Sequence, residues 1–137
     1  MLVISPQYVT FAGVRWAGVR SVAVDRHAAR AVVEGGDGGR YATFADTPEV
    51  RVTITVVLEL EASDLAGPRP GEQGTLEFSA AAGASDVGRR VVRATCVVLR
   101  AVHEVRGAGA TRTVTLAAVS TTGSADPVVV EVGGDEK

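Results

Sequence analysis

The side chains able to do chemistry are few and scattered. Two histidines, His27 and His103, stand far apart, and the single cysteine, Cys96, sits in the apolar run Ala94 to Leu99. A nucleophile needs a base within hydrogen-bond reach, and no local signature such as Gly-x-Ser-x-Gly frames any serine or Cys96. Cys96 therefore reads as a buried, inert thiol. One cysteine also excludes an internal disulfide framework and a four-cysteine zinc site, and the histidine spacing gives no ligand cluster. Glu59 and Glu61 lie two apart on a strand-like run and share a face. A glycosidase pair draws its carboxylates from opposing sides of a cleft, and with aromatics at only 4% no aromatic-lined cleft is expected, so this pair reads as a solvated face. The glycine run Gly35-Gly36-Asp37-Gly38-Gly39 is followed by Arg40-Tyr41, not by the Gly-Lys-Ser/Thr that places a lysine on phosphates. No enzymatic activity and no cofactor or metal are expected.

The elements that position these residues are mainly strands. Valine occurs 25 times and threonine 12 times against 7 leucines, and β-branched side chains suit a pleated sheet better than a helix. From Arg51 to Glu61, Val52, Ile54, Val56, Leu58 and Leu60 share one face, with Arg51, Thr53, Thr55, Glu59 and Glu61 opposite; only Val57 breaks the alternation. Shorter alternations predict strands over Ser21–Asp25, Ala31–Glu34, Thr75–Ala80 and Arg112–Val119, with Val22, Val24, Leu76, Phe78, Val114 and Leu116 inward. Gly107-Ala108-Gly109 reads as a hairpin turn. Between Val87 and Val105 the apolar spacing also fits a helix, with Ser85 or Asp86 as its cap, but seven valines and Thr95 favour a strand. The expected fold class is all-β, mostly antiparallel: a sandwich or barrel with at most one short helix.

At 137 residues the chain makes one domain, 1–137, large enough to bury a core. A net charge of −2 disfavours sequence-independent clamping of nucleic acid. No apolar run approaches 18 residues, so no membrane span is expected. Two long segments resist assignment to the core, an N-terminal arm of about 1–18 with Tyr8, Phe11 and Trp16 and a long loop of about 35–49 with Tyr41 and Phe44, and a flexible C-terminal tail of about 133–137 is expected besides. Large apolar side chains on extended segments commonly meet a partner surface. These five aromatics are thus candidate intersubunit contacts, and the chain reads as an assembly subunit.

Several stretches together resemble the phage-type tail tube proteins, whose fold is shared with type VI secretion tubes and gene-transfer-agent tails. They are the glycine-rich loop running into Tyr41-Ala42-Thr43-Phe44-Ala45-Asp46-Thr47-Pro48 before the strand Arg51 to Glu61, then Ser63-Asp64-Leu65 and Pro70-Gly71-Glu72-Gln73-Gly74-Thr75-Leu76-Glu77-Phe78. Thr113 to Ser120, followed by Gly123 and Asp126-Pro127, resembles the closing strand of such subunits. The resemblance spans most of residues 20–130 and lies in layout, not in a diagnostic motif. It implies a homo-hexameric ring, stacked into a tube that passes DNA transiently. Terminator, tape measure and baseplate proteins would be its partners, and it would be assembled in the host cytoplasm and carried in the virion tail. Glu59, Glu61 and Glu77 would then be lumen-facing candidates, since a non-basic wall does not hold phosphates. Alternatives are a tail terminator or baseplate ring subunit, or a monomeric β-sandwich binding module.

Overall fold

The computed structural model describes residues 2–4, 8–36, 38–60, 67–80, 90–107 and 109–132. Among them there is no helix. The strands are β1 (Leu2–Ile4), β2 (Tyr8–Phe11), β3 (Val14–Arg15), β4 (Val19–Gly35), β5 (Ala42–Leu60), β6 (Gln73–Ala80), β7 (Arg90–Arg106), β8 (Gly109–Ala118) and β9 (Val128–Val132). Every pairing is antiparallel. The strand order is β1-β4-β5-β8-β7-β6-β2-β3, with β9 beside β7.

The two ends of that order are neighbours in the chain. β1 pairs with β4 through Leu2↔Val24, and β2 pairs with β6 through Val9↔Phe78. Consecutive strands of the N-terminal segment thus join to opposite margins of the sheet and shut it around one core. β9 lies in line with β8: Ala118 of β8 opposes Cys96, and Val128 of β9 opposes Ala94, so the two together flank one side of β7.

The alternating run in β5 behaves as its periodicity requires. Val52, Ile54, Val56 and Leu58 are buried, with Leu60 packed at the margin. Leu76 and Phe78, Val114 and Leu116, and Val22 and Val24 meet them as expected from the sequence, and Val9, Phe11, Val92, Ala94, Cys96, Val98 and Val128 complete one cluster. Each such side chain stabilises by about 1.5–3 kcal/mol when taken fully from water. The described part of the segment that fits either a helix or a strand is a strand throughout, β7. Val92 and Val98 project from it into the core, and a strand backbone accommodates their branching at Cβ. Arg106 opposes Gly109, so β7 and β8 form a hairpin where one is expected.

Two expectations need correction. The first concerns the N-terminal arm: residues 8–15 form β2 and β3, joined by a turn in which Ala12 (φ 53°) and Gly13 (φ 82°) both take the left-handed conformation of a tight hairpin. Phe11 is only 4% exposed and belongs to the core, while Trp16 packs against it with ring centroids 5.3 Å apart. Phe11 is therefore not free as an intersubunit anchor, because the core takes up its apolar surface, whereas Trp16 is half-buried and keeps part of its ring at the surface. Tyr8 is paired to Ser79 through its backbone, and its side chain lies outside the described residues. The second concerns the long loop: its span is the end of β4, a turn, and the start of β5. The tail of 133–137 lies outside the described residues.

The outcome is a barrel with an arm. β4 and β5 continue past the barrel as a two-stranded ribbon, and from Arg26 to Arg51 every described residue is exposed except the half-buried Val32. At about 3.3 Å per residue, Arg26 to Gly35 reaches roughly 30 Å. Among the described residues, β8 pairs with β5 only from Val52 onward and β1 with β4 only as far as Val24, so both margins of the ribbon lack a strand partner. Register shifts at Ala28/Arg30 and Arg30/Val32 interrupt the ribbon near its root. Bulges there bend and twist a strand pair.

Candidate functional site: a cleft at the barrel mouth

At the end of the barrel opposite the arm, β4 begins and β5 ends. Gly18 and Glu59 meet there: the Glu59 N–H donates to the Gly18 carbonyl oxygen at 2.8 Å. Around this junction opens a cleft of about 640 Å³ walled by Val14, Trp16 and Ala17 from the β3–β4 passage, Leu58 and Leu60 from β5, and Pro68. Its walls are mainly apolar, and its lining also carries charges of both signs: Glu59 and Glu72 with Arg15 and Arg112.

The chemistry of this end centres on Arg112. It follows Ala110 and precedes Val114 and Leu116 on the core-facing side of β8, and is itself only 7% exposed. Its Nε donates to Nε2 of His103, its register partner on β7, at 2.7 Å. Gly67 lies flat against the guanidinium; a Cβ there would come within 2.6 Å of the central guanidinium carbon. A cation held among apolar side chains is retained only with hydrogen-bond acceptors around it. His103 therefore has a structural role as an acceptor for that cation. Parity would have flagged Arg112: it is two residues from Val114 and four from Leu116, hence on their face. An arginine in a Thr-Arg-Thr context is easily read as wet.

The other sequence candidates separate. Glu59 is on the outer face of β5 and pairs with Arg20 at 3.1 Å, both side chains being more than half exposed. Glu77, on β6, bonds to Arg93, which also reaches Glu131 of β9. The Arg93 guanidinium is held above its ordinary pKa, first by the Glu77 hydrogen bond and then by the charge of Glu131. Glu59 stands level with Thr111 and Glu104, whereas Glu77 stands opposite Arg93 near the other end of β7. A single chain thus does not gather the two carboxylates into one acidic patch. Glu61 lies outside the described residues. Tyr41 is 76% and Phe44 51% exposed on the arm, and the Arg40 guanidinium lies 5.6 Å from the Tyr41 ring centre.

Cys96 has no exposed surface and burial pushes its thiol up to about 12, which makes it a poor nucleophile at neutral pH. No group of three or more metal-ligating side chains occurs among the described residues. No helix among them is long and apolar enough to cross a membrane. No protein-family model matches the chain, and no curated protein matches it.

Proposed function

We propose that the protein is a structural subunit of a phage-type tail tube, self-assembling into stacked hexameric rings around a channel for DNA. One observation carries the self-assembly: the ribbon from Arg26 to Arg51, which leaves the barrel with both faces wet, both margins unpaired among the described residues, and two aromatic rings in water. A two-stranded ribbon without a hydrophobic face is marginal in water, and open strand margins invite further pairing. Such an element is stable when another chain covers it. The tube and its hexameric symmetry come from the resemblance in sequence layout. A terminator or baseplate ring would use the same arm to close a single ring.

A second reading, a monomeric binding module, draws on the cleft, whose volume falls in the range of small-ligand pockets, about 300–1,000 Å³. Sedimentation velocity over a concentration series, followed by negative-stain microscopy, separates the three. Tubes support the proposal, isolated rings favour the terminator or baseplate subunit, and a monomer at every concentration supports the binding module and sinks the assembly reading.

A further inference from the structure

The bond between Arg112 and His103 at the barrel mouth holds only while the imidazole is neutral. Nε2 accepts the Arg112 Nε–H at 2.7 Å, so the neutral ring carries its own proton on Nδ1. A second proton turns Nε2 into a donor and sets two cations against each other. Arg112 has little room to yield, because Gly67 lies against its guanidinium and its register partner on β5 is the buried Leu58. His103 is half-buried and reaches water on one side. Its neighbours on the same face, Ala101 and Val105 of β7 and Ala110 and Val114 of β8, are apolar. Among the described residues, the charged groups that line the cleft beside Arg112 are Arg15, Glu59 and Glu72. Glu59 is turned to Arg20, Glu104 on the outer face of β7 is turned to Arg106, and Glu72 accepts the Arg69 backbone N–H at 2.6 Å. A proton added to His103 therefore meets the cation of Arg112 first.

We propose that His103 and Arg112 form an acid-sensitive latch on the barrel mouth. While the imidazole is neutral, the bond fixes Arg112, and Arg112 in turn supports Gly67 and Pro68, which wall the cleft. Imidazoles are the side chains that ordinarily change charge between pH 5 and 8, so mild acid is the trigger. On protonation the His103 ring swings out to water and the guanidinium shifts with the loss of its acceptor. The wall at Gly67 then loses the flat surface it rests on, and the cleft opens. The ladders of β5, β7 and β8 below the mouth bond through their backbones and do not depend on the pair. Local opening of this kind leaves the rest of a fold intact. The latch belongs to the single chain and is independent of what the chain assembles into.

Trp16 is the chain's one tryptophan and lines the same cleft, so its fluorescence reads the mouth directly. Lowering the pH from about 8 to about 5 is expected to move the wild-type emission to the red and to raise its quenching by acrylamide roughly twofold, reversibly and with an unchanged far-UV circular dichroism spectrum. His103→Gln keeps an acceptor at every pH, and Arg112→Met removes the opposing cation. Each variant is expected to keep its own pH 8 emission down to pH 5, and either one decides should the other fail to fold. His27→Gln is expected to respond as the wild type does, because His27 stands at the arm root beside Asp25. A wild-type emission that does not change over this range overturns the latch, as does a change of equal size in His103→Gln. Loss of the β spectrum in step with the emission also overturns it, since the whole barrel and not its mouth would then give way.

Discussion

Gly18 and Glu59 approach so closely that a Cβ on Gly18 would lie 2.2 Å from the Glu59 carbonyl oxygen. Gly18 also has φ +78°, a conformation that L side chains rarely adopt. The chain crosses here from β3 into β4, and the crossing has no room to move because Glu59 is itself held in β5. Gly18→Ala is therefore expected to cost more than the roughly 1–3 kcal/mol of such backbone strain alone. A urea midpoint within error of the wild type would show that the crossing can relax and that the cleft wall is soft.

His103→Leu leaves the Arg112 Nε–H without the acceptor it has at 2.7 Å. The cost of an unsatisfied donor in such a place is about 1–3 kcal/mol, more when the group is charged. His103→Gln, which restores an acceptor oxygen, is expected to recover part of it. Equal losses in the two variants would place the role of His103 in packing.

Cys96 gives a pH dependence whose sign is fixed by its burial. The folded thiol titrates at about 12, and an unfolded thiol at about 8.5. Below about pH 8.5 both states hold the proton and the contribution to stability is complete. Above it the unfolded chain releases its proton first, so stability falls by about 1.4 kcal/mol per pH unit until the folded thiol titrates. Denaturation midpoints from pH 8 to 10.5 are expected to fall more steeply for the wild type than for Cys96→Ala. Parallel slopes would mean that water reaches Sγ, as would rapid labelling by a thiol reagent in the folded state.

Removing residues 1–12 tests the corrected view of the N-terminus. Val9 and Phe11 are core residues, and losing an aromatic core side chain alone costs about 3–5 kcal/mol. The truncated chain is expected to lose its cooperative thermal transition. A retained transition with the β spectrum intact would restore the segment to the status of a detachable arm.

How much of this was legible in the residues follows from the length of each alternation. β5 announces itself because four buried side chains recur at every second position, with only Val57 breaking the polar series between them, and β7 because valine density outweighs an accidental helical spacing. β2 and β3 have four and two residues, too few to show a period, so Phe11 and Trp16 looked detached when they were core and core margin. The arm shows no period for the opposite reason: a ribbon wet on both faces has no side to mark. Its glycine-rich turn then made the whole stretch look like a loop. The cleft was out of reach because it arises where the β3–β4 passage, the end of β5 and the segment around Gly67 converge, and no local pattern records such a meeting.

The closure of the barrel by its first strands also sets a timetable. β4 and β5 are neighbours in sequence and can zip as a hairpin as soon as both have left the ribosome, whereas β2 must wait for Gln73–Ala80 before it has an edge to join. Contacts that span much sequence form late, because the intervening chain must first be confined. During that interval Val9 and Phe11 have no core to enter, and the β6 edge they will cover is open to any other strand. Where many copies are made close together, the first strand of one chain competes with that of another for the same open edge, so low expression and low temperature during synthesis favour closure within one chain.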